Sequence, residues 1–234
     1  SRNSTDNQIY PRKGSDFSFT VSLTPPFSLF DNKDYAHLAN NPSAGNYSEQ
    51  LQEKYRWIEY HKWKFKSRTY TSLSGGNKCL VLMTRVEFGI LGSYNKSKKS
   101  PFETFYVGGD GTSGYTSTYA TETIGMRGYD NGSLTPNGYS GYAYDRFTVE
   151  LRYPFMLNNS TNIYGLVFAE GGNAWNSVRK FNPFDMKRSV GAGVRIFLPM
   201  VGLLGIDWAY GFDDVFGSKT YSGSHFHFIL GQEF

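Results

Sequence analysis

The 234-residue chain is 39% hydrophobic, 18% aromatic and 19% charged, with a formal net charge of +4 and a mean hydropathy of −0.47. That charge is too weak to imply a nucleic-acid binder, and no apolar run approaches the roughly 20 residues a membrane-spanning helix needs. The single cysteine, Cys79, excludes an internal disulfide and any cysteine-based zinc site, and reads as a small apolar strand residue.

In chain order, Phe17, Phe19, Val21 and Leu23 alternate with Asp16, Ser18, Thr20 and Ser22, a strand that Pro25-Pro26 ends. A polar loop runs to about Glu49. Residues 54–68 read as the next strand, with Tyr55, Trp57, His61, Trp63 and Phe65 on one face. Lys54, Arg56, Lys62, Lys64, Lys66 and Arg68 hold the other face, and Glu59 breaks the apolar row. After a Ser74-Gly75-Gly76-Asn77 turn, Leu80, Leu82, Val86, Phe88 and Ile90 alternate with Met83, Arg85, Glu87 and Gly89. A long Gly/Tyr/Thr-rich loop at about 92–145 carries Gly125-Met126-Arg127-Gly128-Tyr129. Then Phe147, Val149, Leu151 and Tyr153 oppose Arg146, Thr148, Glu150 and Arg152, and segments at 163–170, 190–198, 204–210 and 226–234 complete about eight strands.

Cations opposite aromatics on strand after strand, with 18 Tyr and 19 Phe in a chain of low hydropathy, are the signature of an antiparallel transmembrane β-barrel. Apolar side chains face lipid, polar ones face the lumen, and aromatic girdles mark the interfaces. Short connections near 10–14, 71–78, 154–162 and 199–203 alternate with long ones near 25–52, 92–145, 171–188 and 211–223, as periplasmic turns alternate with extracellular loops. A soluble β-sandwich would also alternate, but not with this profile on seven or eight strands. No signal peptide opens the sequence, so a mature chain or a fragment is expected.

The stretch Pro101-Phe102-Glu103-Thr104-Phe105-Tyr106-Val107-Gly108-Gly109, followed by Met126-Arg127-Gly128-Tyr129, resembles the sixth extracellular loop of BamA-type outer-membrane protein assembly factors. The runs Thr148-Val149-Glu150-Leu151-Arg152-Tyr153-Pro154 and Phe168-Ala169-Glu170-Gly171-Gly172-Asn173-Ala174-Trp175 resemble the family's next two strands. Residues 226–234 resemble its closing strand, and Tyr10-Pro11-Arg12-Lys13-Gly14 one of its turns. Met126 replaces the commoner Val, and Glu170 stands where Asp is more usual.

The resemblance implies a sixteen-stranded barrel preceded by periplasmic POTRA domains, of which residues 1–234 would be the C-terminal portion. It implies ATP-independent folding and insertion of nascent outer-membrane β-barrel proteins, with accessory assembly lipoproteins and outer-membrane lipid as partners and no cofactor. It also implies a lateral gate at the seam formed by the closing strand, with Phe226, Phe228, Leu230, Gly231 and Phe234, where clients add by β-augmentation. A dedicated secretion pore of the same superfamily is the alternative.

The loop arginine needs partners, because a guanidinium is always ionised and its planar fork suits carboxylates. By strand parity Glu150 and Glu170 point into the lumen on adjacent strands and flank one arginine, while Phe168 and Tyr129 are placed to stack on it. Gly125 and Gly128 let the backbone turn and approach the wall. Other chemistry is thin. His225 and His227 lack a third metal ligand at a supportive spacing, and Asp213-Asp214 with Gly217 falls short of a calcium set. None of the four histidines has a nucleophile–acid context, so neither a catalytic residue nor an enzymatic activity is expected.

Overall fold

The computed structural model describes residues 1–76, 78–111, 122–158, 161–200 and 202–230. Its strands are β1 Arg2–Asn3, β2 Gly14–Leu23, β3 His61–Ser72, β4 Val81–Gly92, β5 Phe105–Val107, β6 Glu122–Ile124, β7 Ala143–Leu157, β8 Asn162–Trp175, β9 Lys187–Leu198, β10 Gly202–Gly211 and β11 Ser224–Leu230. Nine of them form one antiparallel sheet in the order β1-β2-β3-β4-β7-β8-β9-β10-β11, with β1 and β11 at its two ends. The short β5 and β6 pair in parallel inside the long loop between β4 and β7. From β2 onward the β3–β4, β7–β8 and β9–β10 connections are short and the β2–β3, β4–β7, β8–β9 and β10–β11 connections long, the alternation expected of a barrel wall.

Burial in this sheet is inverted relative to a water-soluble one. On β7 the inner face carries Tyr144, Arg146, Thr148, Glu150 and Arg152, all buried, while Val149, Leu151 and Tyr153 are exposed on the outer face. Arg85, Arg127, Arg152 and Arg195 are among the largest fully buried side chains, yet Phe226, Phe228 and Leu230 of β11 are 68%, 65% and 67% exposed. A sandwich would bury the second set and solvate the first. The arrangement fits a wall whose outer surface meets hydrocarbon.

Aromatic pairs knit that outer surface. Phe65 stacks on Phe88 across the β3–β4 pair at 4.7 Å, and Phe17 meets Phe65 edge-on at 5.3 Å. Toward opposite ends of the strands, Tyr153 with Phe155 and Tyr210 with Phe212 suit the two interfacial girdles.

Two clusters close the inner face at either end. Near the short turns, Tyr10, Tyr70, Val81, Met83 and Tyr164 pack around the buried Cys79, in keeping with its reading as a small apolar residue. Tyr10 donates its hydroxyl to the carbonyls of Arg152 at 3.0 Å and Cys79 at 3.2 Å. Near the long loops, Phe105, Val107, Ile124, Met126, Tyr129 and Leu134, all from the β4–β7 loop, pack onto Leu91, Tyr144 and Val215. The loop thus carries a core of its own.

Several boundaries differ from the sequence reading. The strand expected over 54–68 begins only at His61. Residues 47–54 are instead a helix, α1 Tyr47–Lys54, inside what was read as polar loop and strand. Glu59, read as a break in an apolar face, is buried and accepts from the Ser28 backbone N–H at 2.8 Å and from its hydroxyl at 2.5 Å. From His61 onward the expected faces hold, with Lys62, Lys64, Lys66 and Arg68 opposite Trp63 and Phe65. The sheet also gains β1, and β8 runs to Trp175, which shortens the loop expected at 171–188.

Candidate functional site: the loop arginine and its seat

The β4–β7 loop delivers its tip to the inner wall through backbone pairing. Beyond the β5–β6 pair, the Gly108 N–H donates to the Ile124 carbonyl at 3.0 Å, and Gly109 and Met126 exchange two hydrogen bonds of 3.0 Å. Met126 is buried next to Arg127, whose side chain has no solvent exposure.

Arg127 donates from Nη2 to Glu150 Oε1 at 2.7 Å and to Glu170 Oε1 at 2.6 Å. Its Nη1 donates to Asp207 Oδ2 at 2.9 Å, and its backbone N–H to Glu170 Oε2 at 3.0 Å. The guanidinium lies 3.4 Å above the centre of the Phe168 ring, a contact of about 0.5–2 kcal/mol. Two further arginines complete the seat. Arg152 grips Glu150 Oε2 from Nε and Nη2 at 2.9 and 2.7 Å. Arg195 grips Asp207 with two bonds of 2.6 and 2.8 Å. Three guanidiniums therefore face three carboxylates, so these six hydrogen-bonded side chains carry no net formal charge among themselves. Such balance is what makes buried ions tolerable, since each alone would cost several kcal/mol to desolvate.

The neighbours of Arg127 anchor the tip to other strands. The Gly125 carbonyl accepts from Arg146 Nη1. The Gly128 N–H donates to His227 Nε2 at 2.9 Å, which ties the tip to β11 and places the imidazole proton on Nδ1. Tyr129, expected over the guanidinium, is buried with its hydroxyl donating to the Arg188 carbonyl at 2.7 Å. The ring found over the arginine is that of Phe168. The Asp130 N–H continues the attachment by donating to the Tyr221 carbonyl at 3.0 Å.

Gly128 is where the backbone comes closest to the wall. Its φ is +87°, and a Cβ there would stand 2.8 Å from both the Gly211 nitrogen and Ser189 Cβ. A Cβ on Gly211 would meet the Gly128 carbonyl at 2.2 Å. Gly128→Ala is therefore expected to cost about 2 kcal/mol or more and to lift the tip from its seat. Limited proteolysis of the full-length protein should show faster cleavage within the loop. Gly45→Ala, which meets nothing within 4 Å, should leave the pattern unchanged, and equal cleavage of G128A and wild type would dismiss the account.

Of the residues singled out from the sequence, Gly125, Met126, Arg127, Gly128, Tyr129, Glu150, Phe168 and Glu170 come together here. Phe226, Phe228 and Leu230 lie on the outer face of β11, away from the seat, and Gly231 and Phe234 fall outside the described residues. The sequence reading missed Asp207 altogether. Its signal was available: Asp207 alternates with the outward Ile206 and Trp208, an acid in the inner register of β10. His227, weighed as a metal ligand, alternates with the outward Phe226 and Phe228 and so faces inward, but its bond to Gly128 needs the loop's position. Asp213, considered for calcium, is engaged by Arg188, whose Nη2 and Nε donate to it at 2.8 and 3.1 Å and hold its carboxyl below the usual range.

Fold and seat together define a class: an antiparallel β-barrel wall with charges inside, carrying a long loop pinned to that wall by one arginine. The chain belongs to the Omp85 superfamily, whose domain model matches residues 1–234. It is 24% identical over 207 residues to the outer membrane protein assembly factor BamA of Neisseria meningitidis serogroup B, an alignment covering 83% of this chain and 20% of that protein. The crystal structure of BamA from Haemophilus ducreyi lacking POTRA domains 1-3 has the same fold, with a TM-score of 0.62 at 17% identity, over 97% of this chain and 40% of that one. The chain thus spans about a fifth of the curated relative's length.

Proposed function

We propose that residues 1–234 are the C-terminal portion of the barrel of an assembly factor in the Gram-negative outer membrane. In this reading the whole protein folds and inserts other β-barrel proteins, without ATP and without enzymatic chemistry of its own. Its partners are nascent barrels, accessory assembly lipoproteins and outer-membrane lipid. The observation that carries the reading is the buried seat of Arg127 among Glu150, Glu170 and Asp207. A loop fastened so firmly to the wall braces the lumen while the seam beside β11 parts to accept a client strand. The apolar outer face of β11, with Phe226, Phe228 and Leu230 exposed, suits such a seam.

Depletion of the full-length protein in its host, followed by quantitative outer-membrane proteomics, tests the reading. Joint loss of most β-barrel proteins is the expected result. Loss of one exported protein, with the other barrels intact, would replace it with a dedicated secretion pore.

A further inference from the structure

Between the ends of β3 and β4 and the loop after β8 lies a cavity of about 320 Å³. Its polar rim carries Lys96, Lys99 and Arg179, and its apolar part includes Ile90 and Val178; no acidic side chain among the described residues lines it. None of the three cations has an ion-pair partner among the described residues, and all three are exposed. The contrast with Lys98 is informative. That lysine, between the other two, is buried, lies 3.9 Å from Glu59 and sits over the Tyr35 ring at 4.4 Å. The segment therefore turns one lysine inward to a carboxylate and leaves two facing the cavity.

The wall of the cavity is built. Residues 178–180 form a 3-10 turn that packs against β4, and the Ser177 hydroxyl accepts from the Arg179 N–H at 3.4 Å, which fixes where that arginine starts. Lys99 is held with its ammonium 5.2 Å from the centre of the Tyr142 ring. Ile90 is the last residue of the outward row Leu82, Val86, Phe88 and Ile90 on β4, so the apolar part of the cavity continues the hydrocarbon-facing surface. Three uncompensated cations standing where that surface ends match the chemistry of a phosphorylated lipid: phosphate on the rim, acyl chain along Ile90 and Val178.

We propose that this cavity binds the phosphate-bearing headgroup of a lipid in the leaflet at the long-loop end of the barrel. The proposal rests on the reading of the strands as membrane-spanning. Continuity with the outer face of β4 selects a membrane lipid over a free oxyanion as the occupant. Bound there, the lipid bridges the β4–β7 loop, which carries Arg127, to the β8–β9 loop.

The test uses the full-length protein, delipidated in detergent and then given diphosphoryl lipid A or the same lipid stripped of its phosphates, with retention read by native mass spectrometry. Wild type should retain the diphosphoryl form preferentially. The triple variant Lys96→Gln/Lys99→Gln/Arg179→Gln should retain it at least about tenfold less, since each cation near an anionic lipid surface adds severalfold to binding. Millimolar inorganic phosphate should not displace the lipid. Equal retention by variant and wild type, equal retention of the stripped lipid, or displacement by phosphate would each overturn the proposal. Heat-modifiable migration of the variant on gels shows that its barrel is folded. A wild-type protein that fails to enter membranes at all would instead strike the membrane reading, a separate result.

Discussion

Arg127→Glu in the full-length protein is expected to abolish support of growth when the wild-type copy is depleted. Arg127 is the residue by which the loop enters the seat, and its fork bonds carboxylates on β7, β8 and β10 at once. Glutamate turns three cations facing three anions into two facing four, inside a site with no solvent exposure. Breaking a buried, paired ion of this kind costs about 3–5 kcal/mol, and the reversed charge adds repulsion from Glu150, Glu170 and Asp207. The loop should leave the lumen, with heat-modifiability of the barrel lost or shifted to lower temperature. Arg127→Lys keeps the charge but has no planar fork, so it should fall between the two. Normal growth with an unshifted R127E barrel would mean that the loop's anchorage has no bearing on assembly.

Asp207→Asn is expected to be nearly as damaging, although Asp207 lies on a strand far from the loop in sequence. Its two carboxylate oxygens receive Arg195 and Arg127 together. An amide of the same shape presents N–H donors to guanidiniums that are themselves only donors, and leaves the network with one excess positive charge. A loss of about 3–5 kcal/mol follows from orphaning buried charge. Thermal unfolding of the purified full-length protein should show a clear drop in Tm relative to wild type, and the exposed Asp214→Asn should show none. A D207N protein as stable as D214N would show that Glu150 and Glu170 alone hold the arginine.

The wall was largely legible in the sequence because a strand's side chains alternate strictly, so one aromatic or cation fixes the face of all its neighbours. That rule put Glu150 and Glu170 inside and Val149 and Leu151 outside. It failed at residues 54–60, where the Lys/aromatic alternation of β3 extends backward by chance into the segment after α1. The helix itself had a signal in Glu49-Gln50-Leu51-Gln52-Glu53-Lys54, a run of good helix formers without a β-branched residue. The parallel β5–β6 pair had none, since Phe105 and Glu122 meet only after the loop has folded over the lumen. The third acid, Asp207, was readable from parity in a strand whose apolar character drew attention to its outer face.

The seat has a consequence for how the sheet is verified. Across neighbouring strands Glu150 lies opposite Phe168, Thr148 opposite Glu170, and Asp207 opposite both Gly193 and His227. A slip of one residue in any of these pairings would turn an acid toward the hydrocarbon, and a slip of two would move it by about 7 Å along its strand, beyond the reach of a hydrogen bond. Only one alignment of β7, β8 and β10 presents three carboxylates to a single guanidinium. The arginine is thus a checksum on strand alignment, and a misaligned wall leaves the loop with nowhere to dock.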